Sequence, residues 1–225
     1  MRFTQRQLIV LLCAAGMALF SWKSLADDKL EISRWEKDIA AFEKQDNETP
    51  PPKNAILFAG SSSIRLWDLK KSFPDLDTVN RGFGGSQIAD SAHFASRIII
   101  KVQPRVIVFY AGDNDIASGK ATKQVSEDFQ GFAQLIHKEL PKTKIVFIAI
   151  KPSPARWQMA DKQKEANELI EAYCKKHDNL VYLDVIKAML GRDGKPRKEL
   201  FVKDGLHLNE QGYELWASLL KPYLK

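Results

Sequence analysis

Residues 55–63 run Ala55-Ile56-Leu57-Phe58-Ala59-Gly60-Ser61-Ser62-Ser63. A short uncharged apolar run that stops at a glycine and three serines reads as a strand buried on both faces, leading into a small polar loop. The same pattern recurs at 78–80, 106–111, 145–150 and 181–185. Helical spacing fills the intervals. Val125, Phe129, Phe132, Ile136 and Leu140 share one face, stopped by Pro141. Ala166, Leu169, Ile170 and Tyr173 share another, and Tyr213, Trp216 and Leu220 a third, behind Asn209 as N-cap. Ahead of the first strand, Ile32, Trp35, Ile39 and Phe42 place a helix over 30–46, closed by Thr49-Pro50-Pro51-Pro52. Strands alternating with helices imply βαβ units. The expected fold is one α/β domain over 27–225, a three-layer α/β/α sandwich with about five mainly parallel strands.

Ligands of such sheets bind beyond the carboxyl ends of the strands. The loops there are Gly60-Ser61-Ser62-Ser63, Gly82-Phe83-Gly84-Gly85, Gly112-Asp113-Asn114-Asp115 and residues 151–157. Asp204-Gly205-Leu206-His207 follows the last strand at a distance. A serine after the first strand attacks a carbonyl only if a base takes its proton. His207 suits that task, because Asp204 three residues earlier can orient its ring. His93 and His137 fall inside helical patterns, and His177 falls at a helix end. Gly85 can offer a backbone N–H, Asn114 its amide and the serine its own N–H to an oxyanion. Asp113, Asp115 and Asp184 are conceivable cation ligands, but local turn bonding is the expected role of Asp113 and Asp115. No paired-cysteine or His-Glu-x-x-His metal spacing occurs, nor a phosphate-binding loop, so no metal or cofactor is expected. The second glycine of the α/β-hydrolase elbow is also missing.

These blocks in this order resemble the SGNH, or GDSL, hydrolase superfamily of esterases and lipases. The resemblance rests on Phe58-Ala59-Gly60-Ser61-Ser62-Ser63-Ile64, Asn80-Arg81-Gly82-Phe83-Gly84-Gly85, Gly112-Asp113-Asn114-Asp115 and Asp204-Gly205-Leu206-His207, and covers residues 54–225. It implies a flavodoxin-like α/β/α fold and ester hydrolysis through an acyl-enzyme. By position it puts the nucleophile on Ser62, the base and acid on His207 and Asp204, and the oxyanion donors on Ser62, Gly85 and Asn114. One departure is Ser61, which stands where the family carries its eponymous aspartate. Arg65 is a candidate contact for a polar substrate group or plain helix surface. In 151–157, Arg156 is a candidate substrate-binding residue and Trp157 a cap on the core. Short-chain or O-acetyl esters are the expected substrates. A lipid acylhydrolase or thioesterase, and a non-catalytic glycan-binding module on the same fold, are the rival readings.

Composition narrows the setting. The chain has 225 residues, 34 Lys and Arg, 28 Asp and Glu, and two cysteines. Arg2 and Arg6, an apolar run over 8–20, and Ser24-Leu25-Ala26 have the layout of a secretory signal peptide cut before Asp27. The run is too short to span a bilayer. Cleavage removes Arg2, Arg6 and Lys23 and no acid, so the net charge of +6 falls to 31 basic against 28 acidic residues, +3. That is too mild for a nucleic-acid partner. An exported, periplasmic or secreted enzyme without an integral membrane segment is expected. Cys13 leaves with the signal, and Cys174 remains as a buried thiol with no disulfide partner.

Overall fold

A computed structural model describes residues 34–224. The expected signal segment, 1–26, and the start of the expected first helix lie outside the described residues. The chain divides into two units, Met1–Ala40 and Ala41–Lys225. The described part of the first is a turn at Arg34 and Trp35 and the opening of a helix, where the Ile39 N–H donates to the Trp35 carbonyl at 3.0 Å.

In chain order the elements are α1 (Glu36–Glu48), β1 (Ile56–Gly60), α2 (Ser62–Arg65), α3 (Leu69–Ser72), β2 (Thr78–Gly82), α4 (Ile88–His93), α5 (Ala95–Ile98), β3 (Val106–Tyr110), α6 (Asp113–Ala117), α7 (Thr122–Glu139), β4 (Lys144–Ile148), α8 (Ala160–Cys174), β5 (Leu180–Leu183), α9 (Ile186–Met189) and α10 (Glu210–Leu220). The five strands form one sheet in the order β2-β1-β3-β4-β5, and every pairing is parallel. This is the flavodoxin-like order, with its switch point at β1 and β3. Helices flank both faces, as the alternation in sequence implied.

Side chains of β3 show why both faces are covered. Val106, Val108 and Tyr110 join a core with Phe58, Trp67, Val146 and Trp216. Phe109, pointing the other way, stacks on Phe132 of α7 at 4.2 Å between ring centroids. Phe129 of the same helix meets Phe147 of β4 at 4.7 Å.

The strand limits differ from the sequence reading for physical reasons. β2 runs on through Arg81 and Gly82 because the Arg81 side chain is buried in an ion pair with Asp46, so its charge hid a strand position. β4 stops at Ile148 although Ala149 and Ile150 are buried. There Asn167 of α8 replaces the ladder, accepting from the Ile150 N–H at 2.8 Å and donating to its carbonyl at 2.9 Å. The expected apolar face of α8 is corrected accordingly: Asn167 is buried, and Leu169 is 39% exposed. The Asn209 cap of α10 stands as expected, accepting from the Gly212 N–H at 3.1 Å.

Candidate active site

β1 delivers the serines through a turn that only glycine fits. Gly60 has φ +127°, and a Cβ there would lie 2.0 Å from the Tyr110 carbonyl oxygen of β3. The Ser61 N–H donates to that same oxygen at 3.0 Å, and α2 starts at the next residue. The short helix is held from both sides. Asn80 donates to the Ile64 carbonyl at 2.8 Å and accepts from the Gly82 N–H at 2.9 Å. Tyr213 donates its hydroxyl to the Ser63 carbonyl at 3.0 Å. Gly82 lets α2 approach β2, since a Cβ there would lie 2.3 Å from the Arg65 nitrogen.

Of the three serines, Ser62 meets a histidine: its Oγ lies 3.0 Å from His207 Nε2. His207 Nδ1 lies 2.6 Å from Asp204 Oδ2. The other carboxylate oxygen accepts the N–H groups of Leu206 and His207 at 2.8 and 2.9 Å. Desolvation pushes the Asp204 carboxyl up. Bonds from the His207 ring and from the amides of His207 and Leu206 outweigh it and hold the pKa at about 2. An ionised carboxylate only accepts, so Nδ1 carries the ring proton and Nε2 faces Ser62 with its lone pair. Local geometry supports the pair: Gly205 sits at φ +64°, and the Val202 N–H donates to the His207 carbonyl at 2.9 Å.

Of the expected oxyanion residues, Gly85 in the loop after β2 and Asn114 on α6 are linked through Ser86. Gly85 adopts φ +78° and immediately precedes Ser86, whose carbonyl accepts from Asn114 Nδ2 at 3.0 Å. Phe83, two residues before Gly85, is tied by its N–H to the Gly60 carbonyl at 2.9 Å. The flanking aspartates do not play the local turn role expected of them. Asp115 is buried and faces the Ile88 N–H at 3.3 Å and Lys120 Nζ at 2.8 Å, which anchors the start of α4 behind the Gly85 loop. Burial pushes its carboxyl up, with Lys120 opposing. Asp113 binds Arg156 Nη1 at 3.0 Å, Gln163 Nε2 at 3.1 Å and Lys151 Nζ at 3.5 Å. Asp184 alone keeps a turn bond, accepting from the Ile186 N–H at 2.8 Å.

Arg156 therefore lies between two groups of the site. Besides Asp113, it donates from Nη2 to Asn114 Oδ1 at 3.1 Å. Lys151, fully buried, also reaches the Tyr110 hydroxyl at 3.1 Å. Burial pulls its ammonium pKa down, and Asp113 opposes that. Sequence reasoning assigned no role to Lys151 or Asn80, although both fall in segments it singled out, and did not find Gln163. A lysine and a glutamine give no apolar or catalytic signal, and their roles exist only through partners distant in the chain. Arg65 is exposed, its guanidinium against Gly84, where an added methyl would come to 3.1 Å. Trp157 lines a cavity of about 190 Å³ with Ile150, Pro152 and Gln163. Cys174 is buried, its thiol pushed up to about 12 by desolvation. Among the described residues, no group of three or more His, Cys, Asp or Glu is placed to hold a metal. No described helix is long and apolar enough to cross a membrane.

The fold is a five-stranded parallel α/β/α sandwich with a serine and a histidine in hydrogen-bond contact at its switch point. Residues 64–215 match the model of the GDSL-like Lipase/Acylhydrolase family, and the chain belongs to this family. It is a carboxylic ester hydrolase of that family. The match spans Gly85, Asn114, Asp204 and His207 and begins two residues after Ser62. No protein of curated function matches the chain. Solved structures share the fold. A Streptococcus pneumonia protein, provisionally described as a platelet activating factor, is 22% identical with a TM-score of 0.77, covering 90% of this chain and 99% of that one. A GDSL-like lipase of Bacteroides thetaiotaomicron is 21% identical, TM-score 0.69, covering 86% and 96%. An acetylxylan esterase of Geobacillus stearothermophilus is 11% identical, TM-score 0.62, covering 76% and 94%.

Proposed function

We propose that the protein is a serine esterase that works through an acyl-enzyme on Ser62. The observation that carries this reading is the continuous chain from Ser62 Oγ to His207 Nε2, 3.0 Å, and from His207 Nδ1 to Asp204, 2.6 Å. His207 takes the Ser62 proton as Oγ attacks the ester carbonyl. The carbonyl oxygen becomes anionic and is received by the N–H groups of Ser62 and Gly85 and by the Asn114 amide. His207 passes the proton to the leaving alcohol. Water then attacks the acyl-enzyme and gives a proton to His207, which returns it to Ser62 Oγ as the Oγ–acyl bond breaks and the acid leaves.

Short-chain or O-acetyl esters are the proposed substrates. The polar loops around Ser62 favour a small acyl group, and one protein of this fold is an acetylxylan esterase. Export follows from the signal-like residues 1–26.

The test uses p-nitrophenyl acetate, longer acyl esters, acetylated sugars and an organophosphonate. The proposal expects short-chain preference and a single phosphonate adduct on Ser62. It expects Ser62→Ala to lose both activity and adduct. Full activity in Ser62→Ala overturns the nucleophile assignment. A preference for long-chain esters or thioesters replaces the substrate class. Sequencing the mature N-terminus tests the cut before Asp27.

A further inference from the structure

We infer that Arg156 is a positioning residue, which sets the direction of the Asn114 amide and so aims its N–H at the oxyanion. This rests on the oxyanion role proposed for Asn114. A carboxamide can turn over and exchange its donor and acceptor ends. With Oδ1 facing the substrate, Asn114 would repel the oxyanion that it is meant to receive. Two contacts forbid that orientation. The Ser86 carbonyl can only accept, and it takes one hydrogen of Nδ2 at 3.0 Å. The Arg156 guanidinium can only donate, and it gives to Oδ1 at 3.1 Å. Both favour the same orientation, and the second Nδ2 hydrogen remains for the substrate.

The guanidinium is itself fixed. Its Nη1 lies 3.0 Å from Asp113 Oδ2, so the planar fork spans Asp113 and Asn114, consecutive residues of α6. Asp113 is held in turn by Gln163 at 3.1 Å and Lys151 at 3.5 Å, all three nearly fully buried. A lysine at 156 has one donor group and cannot reproduce the two-armed contact. Both arms of Arg156 are engaged inside the protein, one by Asp113 and one by Asn114.

The test is a double-mutant cycle on hydrolysis of p-nitrophenyl acetate, a neutral ester. Asn114→Ala should lower kcat by about 10²–10³. Arg156→Ala should lower kcat by about 10–100-fold with KM nearly unchanged, since misplacement of a donor acts on the transition state. Added to Asn114→Ala, Arg156→Ala should have no further effect beyond about twofold. Millimolar guanidinium should recover part of the activity in Arg156→Ala and none in the double variant. Arg156→Lys, which keeps a cation beside Asp113, should give a loss of the same kind, and the unfolding midpoint of each variant separates that loss from a folding defect. If the two losses multiply, or Arg156→Ala raises KM at constant kcat, the positioning role is overturned while the oxyanion reading survives. If Asn114→Ala keeps full kcat, the oxyanion reading itself fails, and the role of Arg156 with it.

Discussion

The Ala155 N–H donates to the Gly205 carbonyl at 3.0 Å. This bond ties the loop after β4 to the turn that holds Asp204 and His207. The next residue, Arg156, reaches Asn114. One short segment thus touches both the turn carrying Asp204 and His207 and the side chain of Asn114, and the backbone between them is the shared support.

Gly205→Ala should loosen that support. Its φ of +64° disfavours any side chain, and a Cβ would lie 3.2 Å from Pro154 Cβ. The expected loss is about 1–2 kcal/mol of stability, read as a fall in Tm, together with a lower kcat. An unchanged Tm and kcat would show that the turn accommodates a methyl group.

Gly82→Ala should be more damaging. The added carbon would fall 2.3 Å from the Arg65 nitrogen, against backbone that cannot swing aside. Overpacking of this kind costs about 1–3 kcal/mol, and relief requires α2 to move with Ser62 on it. Chemical denaturation and phosphonate labelling rates check the two effects separately, and both should fall.

Asn167→Leu should destabilise the fold without touching the chemistry. It strips partners from the Ile150 N–H and carbonyl, both buried. Each abandoned group costs about 1–3 kcal/mol. Urea unfolding should show a lowered midpoint, while kcat of the folded fraction stays near that of the parent.

Asp204 makes a signed prediction about pH. Its folded pKa of about 2 lies below the usual 3.8, so the carboxylate stabilises the fold above that usual value. The contribution is lost as pH falls toward about 2. Tm measured downward from pH 5 should fall less steeply in Asp204→Asn than in the parent. The same variant should lose about 10²–10⁴ in kcat at neutral pH, because nothing then holds the His207 proton on Nδ1. Parallel Tm curves in this range would deny Asp204 its bonds.

Much of this was legible in the sequence, and the boundary is physical. Strands buried on both faces announce themselves as unbroken apolar runs, so β1, β3 and β4 fall within two residues of the reading. A serine after β1 and the Asp204–His207 pair stand out because nucleophilic ester chemistry would need those residue types there, and the family resemblance singles out Ser62 among the three serines. What stayed hidden was paired polarity inside the protein. In sequence the second strand reads only to Asn80, because the charge of Arg81 is matched by Asp46, which lies far along the chain. Asn167 gives no signal in the apolar face read for its helix, but it completes the end of β4. Asp113 and Asp115 looked like turn residues, because their partners, Arg156 and Ile88, lie far along the chain. A buried charge is legible only with its counter-charge, and one sequence does not say which residues pair.

The run of three serines carries a last consequence. Ser61 precedes α2 with extended backbone, and Ser63 follows Ser62 by about 100° round the helix, so neither shares the direction of Ser62. Both are almost wholly buried, at 3% and 2% exposure. On the proposed acyl-enzyme reading, neither flanking serine is placed to take an acyl group from Ser62, so the redundancy in the sequence adds no second nucleophile to the proposed site.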